Sequence, residues 1–195
     1  MSSSLPDLQL LRAGRLLVAN PRLPDPNFDR TVVLLLAYGD EGALGVVLNR
    51  PSEMSLSTPL PRWQSLAAEP AVVFVGGPVQ HQAVICLAQA LAHPAAGDPP
   101  SGWTAVTPDV GTLDLDLDPD GLGMVLSQVR IFAGYAGWGA GQLEAEIGAG
   151  AWWVLDAEPE DAFSEVPGQL WKTVLRRQGG GLALMAAYPA NPMFN

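Results

Sequence analysis

The segment with the clearest chemical potential is glycine-rich and spans residues 134–141, Gly-Tyr-Ala-Gly-Trp-Gly-Ala-Gly. It follows a run typical of a strand and precedes a short predicted helix, so its backbone amides could hold an anion at the helix N-terminus. The spacing matches neither the dinucleotide-binding pattern nor the P-loop, since no Lys, Ser or Thr follows the last glycine. Glu144 and Glu146 lie close behind and would repel a phosphate group.

Three interpretations of this segment remain open from the sequence. Its glycines could let the chain bend sharply, with positive φ at one or more of them, while Tyr135 and Trp138 pack against neighbouring backbone. That interpretation predicts that alanine at Gly137 or Gly139 destabilises the fold. Alternatively, the segment could form a pocket for a small ligand or peptide, or it could bind phosphate. The candidate ligand or partner contacts in this region are Tyr135, Gly137, Trp138, Gly139, Gly141, Gln142 and Glu146.

A second set of candidates lies where two predicted strands end. Asn49-Arg50-Pro51 follows one apolar run, and Gly76-Gly77-Pro78 stops another. Asn can cap or turn the chain, and a guanidinium at a strand end is a planar cation suited to carboxylates. Asp25 and Asp29 precede a predicted strand, so an ion pair with Arg50 or Arg30 is expected. Asn49, Arg50, Gly76 and Gly77 complete the set of candidate contacts.

Metal binding has weaker support in the sequence. Residues 116–121, Asp-Leu-Asp-Pro-Asp-Gly, match the first six positions of a calcium-binding EF-hand loop, but the twelfth position is Ser127 and not Glu. The flanks favour a strand that runs into a polar turn. His81 and His93 fit no zinc-binding spacing, and Cys86 lies in an apolar run typical of a buried, inert thiol. We therefore predict no metal, no cofactor and no catalytic residue.

The elements that carry these residues are predicted to be short, because 21 glycines and 18 prolines interrupt the chain. Runs of strand length and composition cover residues 15–20, 31–38, 44–48, 72–75, 112–117, 129–132 and 152–155. Predicted helices cover residues 62–68, 142–147 and 168–178, the last stopped by three glycines, and residues 79–93 fit either a helix or a strand. The pattern predicts an α+β, or mixed α/β, fold with a mainly antiparallel sheet and a few flanking helices.

Size and charge limit the classes of function. We predict a tail over residues 1–10 and a single domain over residues 11–195, which could consist of two intimate lobes. The 20 acidic and 10 basic residues give a net charge of -10, which opposes direct binding to nucleic acid. No apolar run approaches the roughly 20 residues of a membrane span, and no secretory signal is present. These features predict a soluble protein of the cytoplasm that does not associate with membranes.

Several of these segments resemble, in the same order, the YqgE/AlgH family of bacterial proteins. They are residues 16–19, 30–33, 41–51, 75–79 and 134–147, together with Pro21, Phe28 and Trp152. The resemblance implies a bacterial cytoplasmic protein with a mixed α/β fold, built around strongly bent sheets that are barrel-like in part. Members are commonly labelled as transcriptional regulators, but they carry no recognised DNA-binding motif.

The chain also departs from the pattern of that family. Many members carry His where this chain has Tyr38, and many have another His where it has Leu87-Ala88. A family role that depends on those histidines would not extend to this chain.

The residues and the resemblance together predict a non-enzymatic AlgH-like protein with a regulatory role, exerted through contacts with an unidentified protein or small ligand. The alternative is an enzyme or a small-ligand-binding protein with a site beside residues 134–141. A deep pocket with a perturbed carboxylate would favour the enzyme. A flat apolar patch around Tyr135 or Trp138 would favour protein binding.

Overall fold

The computed structural model of the protein describes residues 8–91 and 100–188. Its main feature is a ten-stranded, mainly antiparallel sheet that curls strongly into a half-barrel, with a few helices around it. The predicted α+β class and the bent, partly barrel-like sheet are therefore confirmed. The strands are β1 Arg15–Ala19, β2 Val32–Gly39, β3 Gly42–Val47, β4 Pro51–Ser55, β5 Val72–Val75, β6 Val79–Ala90, β7 Trp103–Ala105, β8 Val110–Leu113, β9 Leu126–Gly139 and β10 Trp152–Asp156.

The helices in the described residues are short. The α-helices are α1 Gln142–Gly148, α2 Leu170–Gln178 and α3 Gly180–Met185. Single 3-10 turns cover Leu8–Leu10, Pro26–Phe28, Pro61–Leu66, Leu122–Met124, Pro159–Asp161 and Pro167–Gln169. Four of these turns begin with Pro, whose fixed φ suits the first helical position.

Strand β9 is the central strand of the sheet and pairs with three others. The strands are arranged in the order β10-β1-β2-β3-β9-β6-β8-β7, and β9 pairs antiparallel with both β3 and β6. It also pairs in parallel with β5, which in turn carries the edge strand β4. Segments far apart in sequence therefore meet along β9. They include the Gly76-Gly77 turn and the glycine-rich segment 134–141, which we call the two glycine motifs.

A wide bulge helps to curl the sheet. Between the pairs Val79–Tyr135 and Val84–Ala133, β6 contains more residues than β9, so the register shifts. Gln80 lies in this bulge with a φ of 44°, and Gly134 lies opposite with a φ of 74°. Bulges bend a strand and redirect the side chains next to them.

The hydrophobic core lies on both faces of the sheet. Along β1, Leu16 and Val18 pack with Trp171 and Val174 of α2 on one face. The alternate residue Leu17 packs with Leu143 of α1 on the other face. Burial of both faces explains why the β1 and β2 sequences are almost continuously apolar and do not alternate with polar residues.

A buried guanidinium ties three segments together. Arg130 of β9 is 2% exposed, and its Nη atoms donate to the carbonyl oxygens of Ala162, Ser164 and Glu69. Its guanidinium carbon lies 4.3 Å from the ring centre of Phe74. Desolvation lowers the pKa of Arg130 to about 10, against the opposing influence of Glu69. The side chain still carries its charge at neutral pH, so carbonyl dipoles and an aromatic face stabilise a buried cation.

Several predicted elements differ from the structure. The strand predicted over residues 112–117 ends at Leu113, because the Asp114 carboxylate accepts the amide of Asp116 at 2.9 Å and turns the chain. The helix predicted over residues 62–68 is only a 3-10 turn over Pro61–Leu66. Gly179 does end α2, but the glycines after it begin α3 and do not form a loop.

The ambiguous segment 79–93 forms a strand as far as Ala90, and His93 lies outside the described residues. The glycine-rich segment 134–141 is the most important difference. The sequence predicts that the strand ends before this segment, near Phe132, whereas β9 continues through it to Gly139. Part of the predicted tail, Leu8–Leu10, forms a 3-10 turn, while the boundary at residue 10 and the single domain remain predictions.

Candidate functional site

The side chains of the glycine-rich region bind one another. Glu146 of α1 accepts both indole N–H groups of Trp138 and Trp152 on its Oε2, at 2.9 and 2.8 Å. Its Oε1 accepts Nε2 of Gln142 at 3.0 Å, and Oε1 of Gln142 accepts the amide of Gly139 at the same distance. One carboxylate therefore links β9, α1 and β10. We call this network of hydrogen bonds the Glu146 network.

Aromatic rings support the Glu146 network. Trp138 and Trp152 meet edge to face with ring centres 5.9 Å apart. Phe28 stacks on Trp138 and meets Trp152 at its edge, with ring centres 6.1 and 5.2 Å apart. Trp138 is 5% exposed and Trp152 is 1% exposed. These geometries are favourable for aromatic pairs, so both indoles serve as core residues rather than as an exposed patch.

Tyr38 joins the same end of the sheet to α1. Its hydroxyl donates to Oε1 of Glu144 at 2.6 Å. That hydrogen bond is the main cause that raises the pKa of Tyr38 to about 12, followed by desolvation and by the negative charges of Glu144 and Asp40. Glu144 therefore has an internal partner and does not face an anion site.

The two glycine motifs fit into each other. A Cβ at Gly76 would overlap the carbonyl oxygen of Gly134, and a Cβ at Gly77 would overlap the backbone of Tyr135. In the reverse direction, a Cβ at Gly134 would lie 2.8 Å from the carbonyl oxygen of Gly77. The amide of Gly76 donates to the carbonyl of Ala133 at 2.9 Å. Glycine is needed at these positions because two backbones approach more closely than a side chain permits.

The positive φ expected in residues 134–141 occurs at Gly134 and Gly141, both at 74°. It does not occur at Gly137 or Gly139, which lie in β9 with room for a Cβ. The nearest atoms would be 3.5 Å away in the Tyr135 ring and 3.9 Å away in Gln142. The structure therefore gives no reason for alanine at Gly137 or Gly139 to destabilise the fold. The position at which we expect alanine to destabilise it is Gly134.

Two of the remaining candidates, Arg50 and Gly77, line a cleft of about 360 Å³, whereas Asn49 and Gly76 do not. The other residues that line it are Pro26, Asn27, Val47, Pro51, Val75, Pro78 and His81. Arg50 and His81 are both exposed, so a guanidinium and an imidazole face solvent in one cleft with apolar and backbone surroundings. We call this the Arg50 cleft.

Hydrogen bonds fix the loop beside the Arg50 cleft. Nη2 of Arg50 donates to the carbonyl oxygen of Asp29 at 2.7 Å. Asn49 donates to the carbonyl of Arg30 at 2.8 Å and accepts the amide of Val32 at 2.9 Å. Of the ion pairs expected between Asp25 or Asp29 and Arg50 or Arg30, the one between Asp29 and Arg30 forms, with Oδ1 and Nε 4.0 Å apart. Arg50 instead donates to a backbone carbonyl.

Unusual backbone conformations lie on both sides of the Arg50 cleft. Arg30 and Gln80 have φ values of 51° and 44°, in the left-handed region that non-glycine residues rarely adopt. Each such residue costs on the order of 1–3 kcal/mol, and strained residues of this kind concentrate at ligand clamps. The loop held by Arg50 contains Arg30, while the bulge with Gln80 carries His81 into the cleft.

Of the residues that line the Arg50 cleft, Arg50 and Gly77 are contacts predicted from the sequence, whereas Asn27 and His81 are not. The position of His81, three residues after the Gly-Gly-Pro turn, was a usable signal, whereas nothing in the sequence showed that Asn27 would face that turn. Cys86 is buried, and desolvation raises the pKa of its thiol to about 12, in agreement with an inert thiol.

Residues 116–121 lie outside any strand or helix, as the predicted polar turn requires, but the strand before them already ends at Leu113. Arg62 donates to the carboxylates of Asp118 and Asp120 at 2.5 and 3.2 Å. Across residues 8–91 and 100–188, no three His, Cys, Asp or Glu side chains are grouped so that they could hold a metal ion. None of the helices in the same residues has the length and hydropathy that a membrane crossing requires.

Comparison with known proteins identifies relatives along nearly the whole chain. The AlgH-like family model matches residues 16–183. A UPF0301 protein of Streptomyces avermitilis is 50% identical over 182 residues, which cover 93% of this chain and 94% of that protein. A UPF0301 protein of Thermobifida fusca is 47% identical over 196 residues, with 96% and 97% covered.

Two solved structures share the fold. A crystal structure of a protein from Corynebacterium diphtheriae superimposes with a TM-score of 0.85 at 28% identity, covering 96% of this chain and 100% of that one. The solution structure of the AlgH protein from Pseudomonas aeruginosa gives a TM-score of 0.66 at 32% identity, with 97% and 98% covered. Neither structure nor the two sequence relatives is named for a biochemical activity.

Proposed function

The chain belongs to the AlgH-like family, and on that premise we propose that it is a non-catalytic, cytoplasmic binding protein that recognises a small anionic ligand in the Arg50 cleft. The bound state regulates a protein partner. The observation that carries the proposal is the composition of the cleft, in which exposed Arg50 and exposed His81 line one concave surface. Such convergent polar groups in a partly apolar cleft are typical of small-ligand sites.

The geometry of Arg50 suits an anion. Within the described residues its one hydrogen bond goes to the carbonyl of Asp29, which fixes the guanidinium while most of its five N–H groups remain available. A held guanidinium offers two parallel N–H donors to a carboxylate or a phosphate.

The backbone strain supports a binding role. Gln80 is held at positive φ by a bulge that also places His81 at the cleft. A straight β6 would continue its pairing with β9 and direct these side chains differently. Strain maintained in both neighbouring segments favours a preorganised site over an accidental depression of the surface.

The Glu146 network argues against a ligand site at residues 134–141. Trp138, Gln142 and Glu146 satisfy one another, and both indoles are buried. This region therefore supports the fold, and it positions Gly134 and Tyr135 against the Gly76-Gly77 turn. The site that we propose is instead the Arg50 cleft, which Gly77 of that turn lines.

The experiment is a titration of the protein with inorganic phosphate and, separately, with citrate, followed by NMR of backbone amides and by calorimetry. We expect Gly77, His81 and Arg50 to shift together. Arg50→Gln should weaken binding at least about tenfold, or roughly 1.4 kcal/mol. The matched control is Arg12→Gln, since Arg12 is exposed and makes no side-chain contact among the described residues. The control should bind like the parent.

Two results would overturn the proposal. One is the absence of shifts at the Arg50 cleft up to about 10 mM of either anion, well above the usual range for an Arg-based site. The other is equal weakening in Arg50→Gln and Arg12→Gln, which would indicate general attraction to positive charge rather than a site.

A further inference from the structure

A second concave site lies away from the Arg50 cleft. It is a partly open cavity of about 150 Å³ on the face of the sheet that also carries α2. Five of the side chains that line it are apolar and at most 3% exposed: Leu16, Leu34, Leu48, Val110 and Ala162. A cavity of this volume accommodates a ring the size of benzene. Its buried apolar lining, which we call the inner wall, favours a small apolar group.

Three acidic residues also line the cavity. Asp109 and Glu158 are exposed, whereas Asp161 is buried. Arg177 donates to both Asp161 oxygens at 2.7 Å and to Glu158 at 3.1 Å, so two of the three carboxylates have a cationic partner. The side chain of Asp109 makes no hydrogen bond or ion pair among the described residues. Among the described residues, Asp109 is therefore the one carboxylate of the three without a cationic partner.

The turn that carries Asp109 is rigid. The amide of Val110 donates to Oγ1 of Thr107 at 3.0 Å, and the amides of Val106 and Thr107 both donate to the carbonyl of Val110 at 2.9 Å. The carbonyl of Asp109 itself accepts the amide of Ala90 at 2.9 Å. Pro108 beside it removes a further degree of backbone freedom. The free carboxylate is thus held at the mouth of a preformed apolar cavity.

We propose that this cavity is a binding site for a small amine whose apolar body, of the size of one aromatic ring, fills the inner wall while its ammonium group pairs with Asp109. Asp109 is exposed, so its ion pair stays in contact with water and adds selectivity for a cation to the affinity that the apolar wall supplies. The net charge of -10 also attracts cations to the surface as a whole. The site is independent of the anion binding proposed for the Arg50 cleft.

Benzylamine and benzyl alcohol are the probes, since they share a ring and differ in charge. Binding is measured by calorimetry, and the methyl resonances of Leu16, Leu34 and Leu48 are followed by NMR. We expect the amine to shift those methyls and to bind at least about tenfold more tightly than the alcohol. Asp109→Asn should remove this preference for the amine and leave the alcohol's affinity unchanged.

Two further variants make the test specific. Asp116→Asn is the matched control, because Asp116 is an exposed carboxylate whose side chain makes no contact among the described residues and does not line the cavity. It should preserve the preference for the amine. Ala162→Leu places three additional carbons in the cavity and should abolish binding of both probes.

The methyl shifts in the parent protein do not depend on whether Ala162→Leu folds. Methyl resonances that stay unchanged at about 10 mM benzylamine, far above the range expected for a filled cavity, would overturn the site. Equal affinities for the amine and the alcohol would overturn the role of Asp109, and so would equal losses of amine affinity in Asp109→Asn and Asp116→Asn.

Discussion

At the scale of single residues, one carboxylate organises the most distinctive part of the chain. Glu146 accepts two indole N–H groups on one oxygen and the Gln142 amide on the other. Hydrogen bonds to a charged group contribute about 1.5–3 kcal/mol each when they are shielded from water. The side chains of the glycine-rich region therefore stabilise the junction of β9, α1 and β10, and the groups that remain available to a ligand, such as those of Arg50 and His81, lie elsewhere.

The titration of Tyr38 tests the hydrogen bond between Tyr38 and Glu144. Its folded pKa, about 12, exceeds the ordinary value of 10.0, chiefly because its hydroxyl donates to Glu144. Its contribution to stability is therefore complete below pH 10 and is lost as the pH rises toward 12. Glu144→Gln should lower the pKa of Tyr38, measured by the ultraviolet absorbance of the phenolate.

Tyr38→Phe should remove that late titration, whereas Tyr135→Phe should leave it in place. The chain has three tyrosines, so a single missing transition is resolvable. If the late titration persisted in both Glu144→Gln and Tyr38→Phe, the assignment of the raised pKa to this hydrogen bond would be wrong.

At the scale of elements, local chemistry predicted some features of the fold and tertiary pairing decided others. The apolar runs around Val32 and Val72 are strands as predicted, because β-branched residues fit a buried sheet. The glycine-rich end of β9 was not predictable as strand, since glycine has no intrinsic preference for it. The pairing partners Ala43 and Leu44 of β3 hold it extended. Only some residues of the Arg50 cleft could be predicted from the sequence. Asn27 could not, because tertiary folding and no local sequence signal brings it next to Arg50 and Gly77.

Alanine substitution tests the close backbone contact between Gly134 and the Gly76-Gly77 turn. Gly134→Ala places a Cβ at a φ of 74° and within 2.8 Å of the Gly77 carbonyl. It should destabilise the protein by more than about 1 kcal/mol. Gly137→Ala is the matched control in the same strand, where the Cβ meets the Tyr135 ring at an ordinary 3.5 Å. Its stability should stay within about 0.5 kcal/mol of the parent.

Urea unfolding of the two glycine variants beside the parent decides the question. Midpoints that fall equally in both would mean that glycine is required throughout β9 and not only where it meets the Gly76-Gly77 turn. A midpoint unchanged in Gly134→Ala would refute the close backbone contact itself.

At the scale of the whole molecule, few basic side chains are available to bind an extended, negatively charged partner. Arg15, Arg62 and Arg177 pair with carboxylates, and Arg130 is buried. Four of the ten basic residues are therefore engaged in ion pairs or buried. Such a surface suits small charged ligands in local sites more than it suits a polyanion.

We accordingly expect no direct binding to DNA. A mobility-shift titration on mixed genomic fragments at about 150 mM salt should show no complex up to about 10 μM protein, because non-specific affinity comes from neutralised phosphates. The contrary result would be a shifted band in the micromolar range that disappears steeply as salt is raised. That result would show that the cations act together despite their separation in the structure.

The pairing of β1 with β10 sets an order of events during synthesis on the ribosome. Arg15 is opposite Asp156, so this pairing joins residues 141 positions apart, and it cannot form until Trp152–Asp156 has emerged. Until then β1, which is buried along its whole length in the finished fold, has one open edge. An apolar open edge readily pairs with another chain. The nascent protein therefore carries its main aggregation hazard from the first strand onward, and β10 removes that hazard almost as the last sheet-forming step.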